Sequence, residues 1–145
     1  MIPLFDASGN LPPGVHHATW PEFVSTFGTT PHRRVLLAGL QAALENLRAA
    51  GCHRVYINGS FVTAKRRPND FDGCWDMAGV APDRLDPVLL TFDRGRAAQK
   101  AKYRGELFPA QFAEGASGRT FLDFFQVDKE GRPKGIIALD VQEVA

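Results

Sequence analysis

The chain has 145 residues, of which 44% are apolar and 23% are charged, as in ordinary globular domains. This length leaves too little chain for two separate cores, so we expect one domain spanning residues 1–145. Its 17 Lys and Arg residues against 16 Asp and Glu residues give a net charge of +1, which excludes attraction to nucleic acid or membranes through the overall charge. Any such attraction has to come from a local cluster of Lys and Arg side chains.

The two cysteines, Cys52 and Cys74, are too few for a disulfide framework and lack the paired spacing of a zinc site. This usage is typical of a reducing compartment, so we expect a cytoplasmic protein. No segment approaches the ~20 apolar residues that a membrane span requires, and the N-terminus lacks the pattern of a secretion signal. We therefore expect neither membrane insertion nor secretion.

The N-terminal third is predicted to contain an extended segment followed by two helices. Residues 1–19 are rich in turn formers and are expected to wrap the domain. Thr19 and Glu22 form the pattern of a helix N-cap, and Gly28 is a typical stop, which predicts a short helix between them. From Pro31 to Ala50 apolar residues recur every three or four positions, which predicts the longest helix.

The rest of the chain is predicted to alternate strands with helices. Strands are expected over Arg54–Asn58, Asp70–Trp75, Thr120–Val127 and Ile136–Val141, and polar helices around Pro82–Leu90 and Arg94–Arg104. The fold class is therefore predicted to be α+β, an α/β sandwich with a small mixed β-sheet and flanking helices.

Two aspartates, Asp70 and Asp72, lie two positions apart in a predicted strand. Residues at this spacing project from one face about 6.6 Å apart, while Phe71 faces the core. Paired carboxylates suit Mg²⁺, which prefers oxygen ligands and keeps room for phosphate oxygens. Asp123, between aromatic residues of the predicted Thr120–Val127 strand, becomes a third carboxylate of such a site if it is buried beside a cation, and otherwise faces water. Three carboxylates around one or two ions suit nucleotidyl transfer.

A glycine and a serine follow the Arg54–Asn58 strand. Gly59 lets the backbone approach a phosphate group, and Ser60 adds a hydroxyl donor. Lys65, Arg66 and Arg67 on the next loop can neutralise the charge of a triphosphate or contact an acceptor.

The order Asn58-Gly59-Ser60, nine residues, then Asp70-Phe71-Asp72, with an aspartate in a later predicted strand, resembles the signature of the DNA polymerase β-type nucleotidyltransferase superfamily. The chain looks most like minimal stand-alone bacterial members, and the resemblance runs from about Pro31 to Asp128. It implies a nucleotidyltransferase-like core over residues 30–145. It further implies magnesium or manganese dependence and transfer of a nucleoside monophosphate from a nucleoside triphosphate to a hydroxyl of a protein or an RNA such as tRNA.

The resemblance also implies roles for particular residues. Gly59 and Ser60 would bind the nucleotide, and Asp70, Asp72 and Asp123 would be the catalytic metal ligands. Minimal bacterial members commonly act in toxin–antitoxin pairs, so a toxin or antitoxin partner, or a second copy of the chain, is an implied partner.

Other interpretations stay open. Gly73 stands where the superfamily usually carries an apolar strand residue, and the domain that often grips the acceptor is not part of this sequence. A non-catalytic, antitoxin-like module that keeps the fold and binds a partner is therefore an alternative. Asp70 and Asp72 also fit an ordinary solvated turn. The basic run from Arg94 to Arg104, with Tyr103 available for base stacking, either guides nucleic acid or is a solvated helix face.

Overall fold

A computed structural model describes residues 1–144, which form a mixed sheet with helices packed against it. The strands are β1 (Gly14–Ala18), β2 (Arg54–Asn58), β3 (Phe71–Trp75), β4 (Gly105–Pro109) and β5 (Gly135–Asp140). The helices are α1 (Trp20–Phe27), α2 (Pro31–Ala49), α3 (Asp93–Tyr103) and α4 (Phe121–Phe124). The sheet order is β1-β5-β2-β3-β4, which confirms the predicted α+β fold.

Strand direction brings four chain segments to one end of the sheet. β2 is antiparallel to β3 and β5, whereas β4 is parallel to β3. The C-terminal end of β2 therefore lies beside the N-terminal ends of β3, β4 and β5. This end of the sheet carries the candidate site.

The first two helices form for the local reasons that the sequence indicates. Thr19 accepts a hydrogen bond from the Glu22 amide, and the Glu22 side chain accepts one from the Thr19 amide, which completes a capping box for α1. Thr30 caps α2 in the same way by accepting from the Arg33 amide. Both helix predictions are confirmed.

One face of the sheet packs on α2 and forms the main core. Leu40, Leu44 and Leu47 of α2 are fully buried in the same cluster as Val55 and Ile57 of β2. Each buried leucine contributes about 1.5–3 kcal/mol relative to exposure, so this contact anchors β2 and the turn that follows it.

The opposite face is covered near β3 and β4 by an aromatic cluster. The rings of Phe108 and Phe121 stack with centroids 4.2 Å apart, and Phe125 packs against both. The predicted Thr120–Val127 strand is wrong, because this segment contains helix α4 capped by Thr120. Helical spacing puts Phe121 and Phe125 on one face, over β4.

Two strands, β1 and β4, were not predicted. β1 lies within the predicted extended segment and pairs in parallel with β5. β4 is a five-residue strand bounded by Gly105 and Pro109, so it offers little alternation to recognise. Glycine is unfavourable within a strand, so Gly73 makes β3 harder to predict, but close packing requires it. A Cβ at this position would lie 2.3 Å from the Tyr56 carbonyl oxygen of β2.

The predicted helices between β3 and β4 are partly correct. Pro82–Arg84 and Pro87–Leu90 form short 3₁₀ turns rather than one helix. α3 is present, but Arg94, Gly95 and Arg96 have φ values of 53°, 64° and 63°, so its right-handed part begins only after Arg96. Within residues 1–144, no helix is long and apolar enough to cross a membrane.

Candidate functional site

The turn after β2 lies directly against a carboxylate of β3. Asn58 pairs with Asp72 across the two strands, and Gly59 follows with φ +76°. A Cβ on Gly59 would lie 3.0 Å from Asp72 Oδ2, so a side chain there would crowd the carboxylate. Glycine is needed here both for the backbone conformation and for this close approach.

A second carboxylate, which the sequence analysis did not identify, lies beside Asp72. Glu106 of β4 is in register with Asp72, and the two carboxyl groups are within hydrogen-bonding reach of each other. Burial raises the pKa of Asp72 to about 7, with further contributions from the charges of Asp70 and Glu106. Two neighbouring carboxyl groups repel each other when both are ionised. Asp72 therefore holds its proton more tightly than an exposed aspartate does.

Asp70 immediately precedes β3 and belongs to the same group of carboxylates. Burial and the charge of Glu106 raise the pKa of Asp70, while the charge of Lys100 opposes them. Asp70, Asp72 and Glu106 therefore form an acidic cluster, which we call the carboxylate triad.

Asp123 does not join this triad. It lies on α4 with an exposed side chain and does not line the pocket beside Asp72. The expectation rested on a strand that is absent, and the helix turns Asp123 away while Phe121 and Phe125 pack inward. Glu106 occupies the position that we expected Asp123 to hold.

Two cations balance the triad from the β4 side. Arg96 Nε donates to Glu106 Oε2 at 2.7 Å, and Lys100 Nζ lies 3.8 Å from the same oxygen. The Arg96 guanidinium also lies over the Phe108 ring, 5.6 Å from its centroid. Arg96 reaches this place from a left-handed backbone conformation, which costs a non-glycine residue about 1–2 kcal/mol.

Two adjoining pockets lie against the triad and the glycine turn. The first, of about 440 Å³, is lined by Asn58, Asp72, Glu106 and Lys134 among others. The second, of about 400 Å³, is lined by Gly59 and Ser60 and shares Lys134 and Asp128 with the first. Each has a volume within the range of small-molecule sites.

Lys134 is a half-buried cation at the junction of these two pockets. Burial lowers its pKa, whereas the charges of Asp72 and Asp128 act in the opposite direction. A cation in this place can receive phosphate oxygens. Lys134 carries no local sequence signal of this role, because only the pairing of β5 with β2 brings it to Asp72.

Lys65 and Arg66 lie elsewhere. Both are exposed and line a separate pocket with Arg33 and Thr63. The buried Arg33 guanidinium shapes this loop by donating to carbonyl oxygens, including those of Phe61 at 2.7 Å and Thr63 at 2.8 Å. The nucleotide-binding role expected of Lys65 and Arg66 stays a prediction, without contact to the pockets beside Asp72.

Asn58 carries an unsatisfied acceptor in the wall of the first pocket. Its side chain is only 4% exposed, and Oδ1 is buried without a hydrogen-bond partner. A buried acceptor without a donor costs about 1–3 kcal/mol, so a donor from a ligand in this pocket would recover that free energy.

A family model, described as a family of unknown function, DUF6932, matches residues 3–140. The chain belongs to this family. No curated protein and no solved structure matches the chain at a significant level. The activity of this DUF6932 chain therefore has to be inferred from its site.

The donor set of the DUF6932 triad suits a hard divalent cation, because Mg²⁺ binds carboxylate oxygens and retains positions for phosphate. As arranged in residues 1–144, no group of three or more His, Cys, Asp and Glu side chains could hold a metal ion. Arg96 and Lys100 supply the counter-charge to Glu106 instead. A magnesium ion would have to compete with Arg96 for Glu106, and with a proton for Asp72, whose pKa burial raises.

Proposed function

We propose that this protein is a magnesium-dependent nucleotidyltransferase that moves a nucleoside monophosphate from a nucleoside triphosphate to a hydroxyl group of an RNA or protein acceptor. The observation that carries the proposal is the juxtaposition of Asp72 and Glu106, in register on β3 and β4, with the Gly59 turn directly over Asp72. Carboxylates and a phosphate-accessible glycine turn at one end of a sheet are the parts that nucleotidyl transfer requires.

In this proposal the chain holds the triphosphate from two sides. The Gly59-Ser60 turn approaches the phosphates with backbone and hydroxyl donors, and Lys134 receives phosphate oxygens at the junction of the two pockets. The nucleoside lies in the pocket lined by Asn58, whose buried Oδ1 accepts a hydrogen bond from it.

Asp70, Asp72 and Glu106 would hold magnesium. When bound, magnesium supplies charge neutralisation for the phosphates and lowers the pKa of a coordinated hydroxyl. The acceptor oxygen forms a bond to the α-phosphorus, the bond from that phosphorus to the pyrophosphate oxygen breaks, and pyrophosphate leaves. Asp70 receives the proton of the acceptor hydroxyl, since it lines a different pocket from the one that holds the nucleotide.

Calorimetric titration of the full chain with ATP, GTP, CTP and UTP in the presence of Mg²⁺ tests the proposal. We expect saturable binding of at least one nucleotide, weakened at least tenfold in Lys134→Gln through loss of a charge-assisted contact. Lys129→Gln is the matched control, because Lys129 is exposed at the rim of the same pocket. No nucleotide binding at saturating Mg²⁺ would contradict the proposal.

A second candidate function is a non-catalytic module that binds a protein partner, such as the other half of a toxin–antitoxin pair. The ion pair of Arg96 with Glu106 favours it, because an arginine already neutralises the carboxylate that a metal would need. This candidate predicts that Mg²⁺ binds no more tightly to the wild type than to Glu106→Gln.

A further inference from the structure

The positive charge of this chain is concentrated in three segments. Residues 32–34, 65–70 and 93–106 hold ten of the 17 Lys and Arg residues but only three of the 16 Asp and Glu residues. The overall charge of +1 therefore conceals a strongly basic part and an acidic remainder. A local concentration of this kind creates a field that the net charge does not reveal.

The fold brings part of each segment together beside the carboxylate triad, whereas Lys65 and Arg66 line a separate pocket. A pocket of about 420 Å³ is lined by His32, Asp70, Lys100 and Arg104 among others. His32 Nε2 lies 2.5 Å from the Pro68 carbonyl oxygen, which joins the second segment to the first. We call this pocket and the exposed cations around it the basic surface.

Few of these cations are neutralised by acidic side chains. Within the three segments, as described in residues 1–144, Arg96 and Lys100 form ion pairs with Glu106, and Lys102 forms one with Asp86. Arg67 and Arg104 are exposed and take part in none of them. The basic surface therefore keeps charge available for an anionic partner.

The basic surface offers little for a protein partner. Protein interfaces depend on aromatic or aliphatic anchors at their centre. Of the exposed large apolar side chains in residues 1–144, only Val35 lines the pocket of the basic surface. Tyr103, expected to be available for base stacking, is 4% exposed and donates its hydroxyl to Asp86. Recognition here has to be mainly electrostatic, as it is for a phosphate backbone.

Asp70 belongs both to the basic surface and to the carboxylate triad that carries the proposed reaction. It lines the pocket of the basic surface, whereas Asp72 and Glu106 line the proposed nucleotide pocket. The triad thus lies between two pockets, and the one with Asp70 also contains Lys100, Arg104 and the polar side chain of Asn69. A terminal ribose, with two neighbouring hydroxyls, matches the acceptors that Asn69 and Asp70 present.

We infer that the basic surface binds single-stranded RNA and directs its terminal ribose hydroxyl toward Asp70, so that the acceptor of the proposed reaction is an RNA end. This inference rests on the proposed nucleotidyltransferase function for the role of the hydroxyl. The binding of RNA itself requires neither metal nor nucleotide and is tested separately.

The test measures fluorescence anisotropy of a labelled single-stranded RNA of about twelve nucleotides, without Mg²⁺ or nucleotide, on the full-length wild type and on Arg67→Gln/Arg104→Gln. If five cations contact phosphates, the wild-type affinity falls about a hundredfold between about 50 and 200 mM salt. The double variant is expected to bind at least tenfold more weakly at low salt, with a slope of log affinity against log salt that is smaller by about 1.4.

Arg84→Gln is the matched control. Arg84 is exposed beside the C-terminal end of α2, because the Ala81 amide donates to the Ala50 carbonyl oxygen. The basic surface begins at the other end of this 19-residue helix, about 28 Å away. We expect Arg84→Gln to bind RNA within twofold of the wild type.

Several outcomes would overturn the inference. One is an equal loss of RNA affinity in Arg84→Gln and in the double variant. Another is an RNA affinity that does not change with salt. A third is that polyglutamate, or DNA of the same length, competes with the labelled RNA as effectively as unlabelled RNA does. The parallel titration with Mg²⁺ and nucleoside triphosphate reports on the proposed function. RNA binding without nucleotide binding therefore refutes only the proposed nucleotidyltransferase function. Nucleotide binding without RNA binding refutes only the inference.

Discussion

Replacing Asp72 by asparagine tests whether the triad is as crowded with negative charge as its geometry indicates. Burial and the charges of Asp70 and Glu106 raise the pKa of Asp72 from its usual 3.8 to about 7. A carboxyl group with a higher pKa in the folded protein binds its proton more tightly when folded. The wild type therefore loses this part of its stability as the pH rises from about 4 to about 7, and the loss is complete above that range.

Asp72→Asn keeps the shape of the side chain and does not titrate. Each pH unit within the range corresponds to about 1.4 kcal/mol, and about two of these units lie between pH 5 and pH 7. Relative to Asp72→Asn, the wild type should therefore lose on the order of 2–3 kcal/mol of unfolding free energy between about pH 5 and about pH 8. Urea denaturation of both proteins at the two pH values measures the difference.

Magnesium should reverse this effect in the wild type. Adding it near pH 8 should raise the urea midpoint of the wild type and leave that of Asp72→Asn unchanged, because a ligand stabilises only the folded state that binds it. Asp123→Asn is the control, since Asp123 is exposed and outside the pocket, and it should follow the wild type throughout. Parallel pH profiles for the wild type and Asp72→Asn would refute the reasoning.

Three further predictions concern the groups around the triad. Arg96→Met should raise the Mg²⁺ affinity about tenfold in calorimetry, because it removes the cation that occupies Glu106, whereas an unchanged affinity would favour the non-catalytic module. Asn58→Leu should raise the unfolding free energy by about 1 kcal/mol by removing a buried unpaired acceptor, and should weaken nucleotide binding; lower stability with unchanged binding would contradict the assigned role. Gly59→Ala should destabilise by more than Gly118→Ala in urea denaturation, since both have positive φ but only Gly59 faces a neighbouring carboxylate at 3.0 Å. Equal losses of stability in the two variants would show that the short distance between Gly59 and the Asp72 carboxylate does not restrict the side chain at position 59.

The elements with strong local signals were predicted well. α1 and α2 have capping residues and apolar spacing within their own segments, and β2 has a β-branched run that ends at Gly59. Each of these signals acts over a few residues, so it can be recognised without knowledge of the tertiary contacts. The 3₁₀ turns after β3 differ from the predicted helix because Pro87 follows Asp86, and proline disfavours helical backbone in the residue before it.

The errors concentrate where packing decided the structure. The run from Phe121 to Phe125 has the composition of a strand, yet it forms a helical turn whose rings stack on Phe108 of β4. Sequence composition cannot distinguish these outcomes, because both bury the same apolar surface. The mistaken strand led to Asp123, and the short β4 that carries Glu106 was overlooked.

The sequence by itself determined the parts of the site that lie on one continuous stretch: the glycine turn at Gly59 and the two-residue spacing of Asp70 and Asp72. Backbone geometry within a strand and a turn is local, so these positions followed from residue types and periodicity. Only the tertiary structure decided that Glu106 completes the triad and that Lys134 and Arg96 flank it. Those contacts depend on the pairing of β3 with β4 and of β5 with β2, whose strands are far apart along the chain and pair through backbone hydrogen bonds that carry no sequence signature.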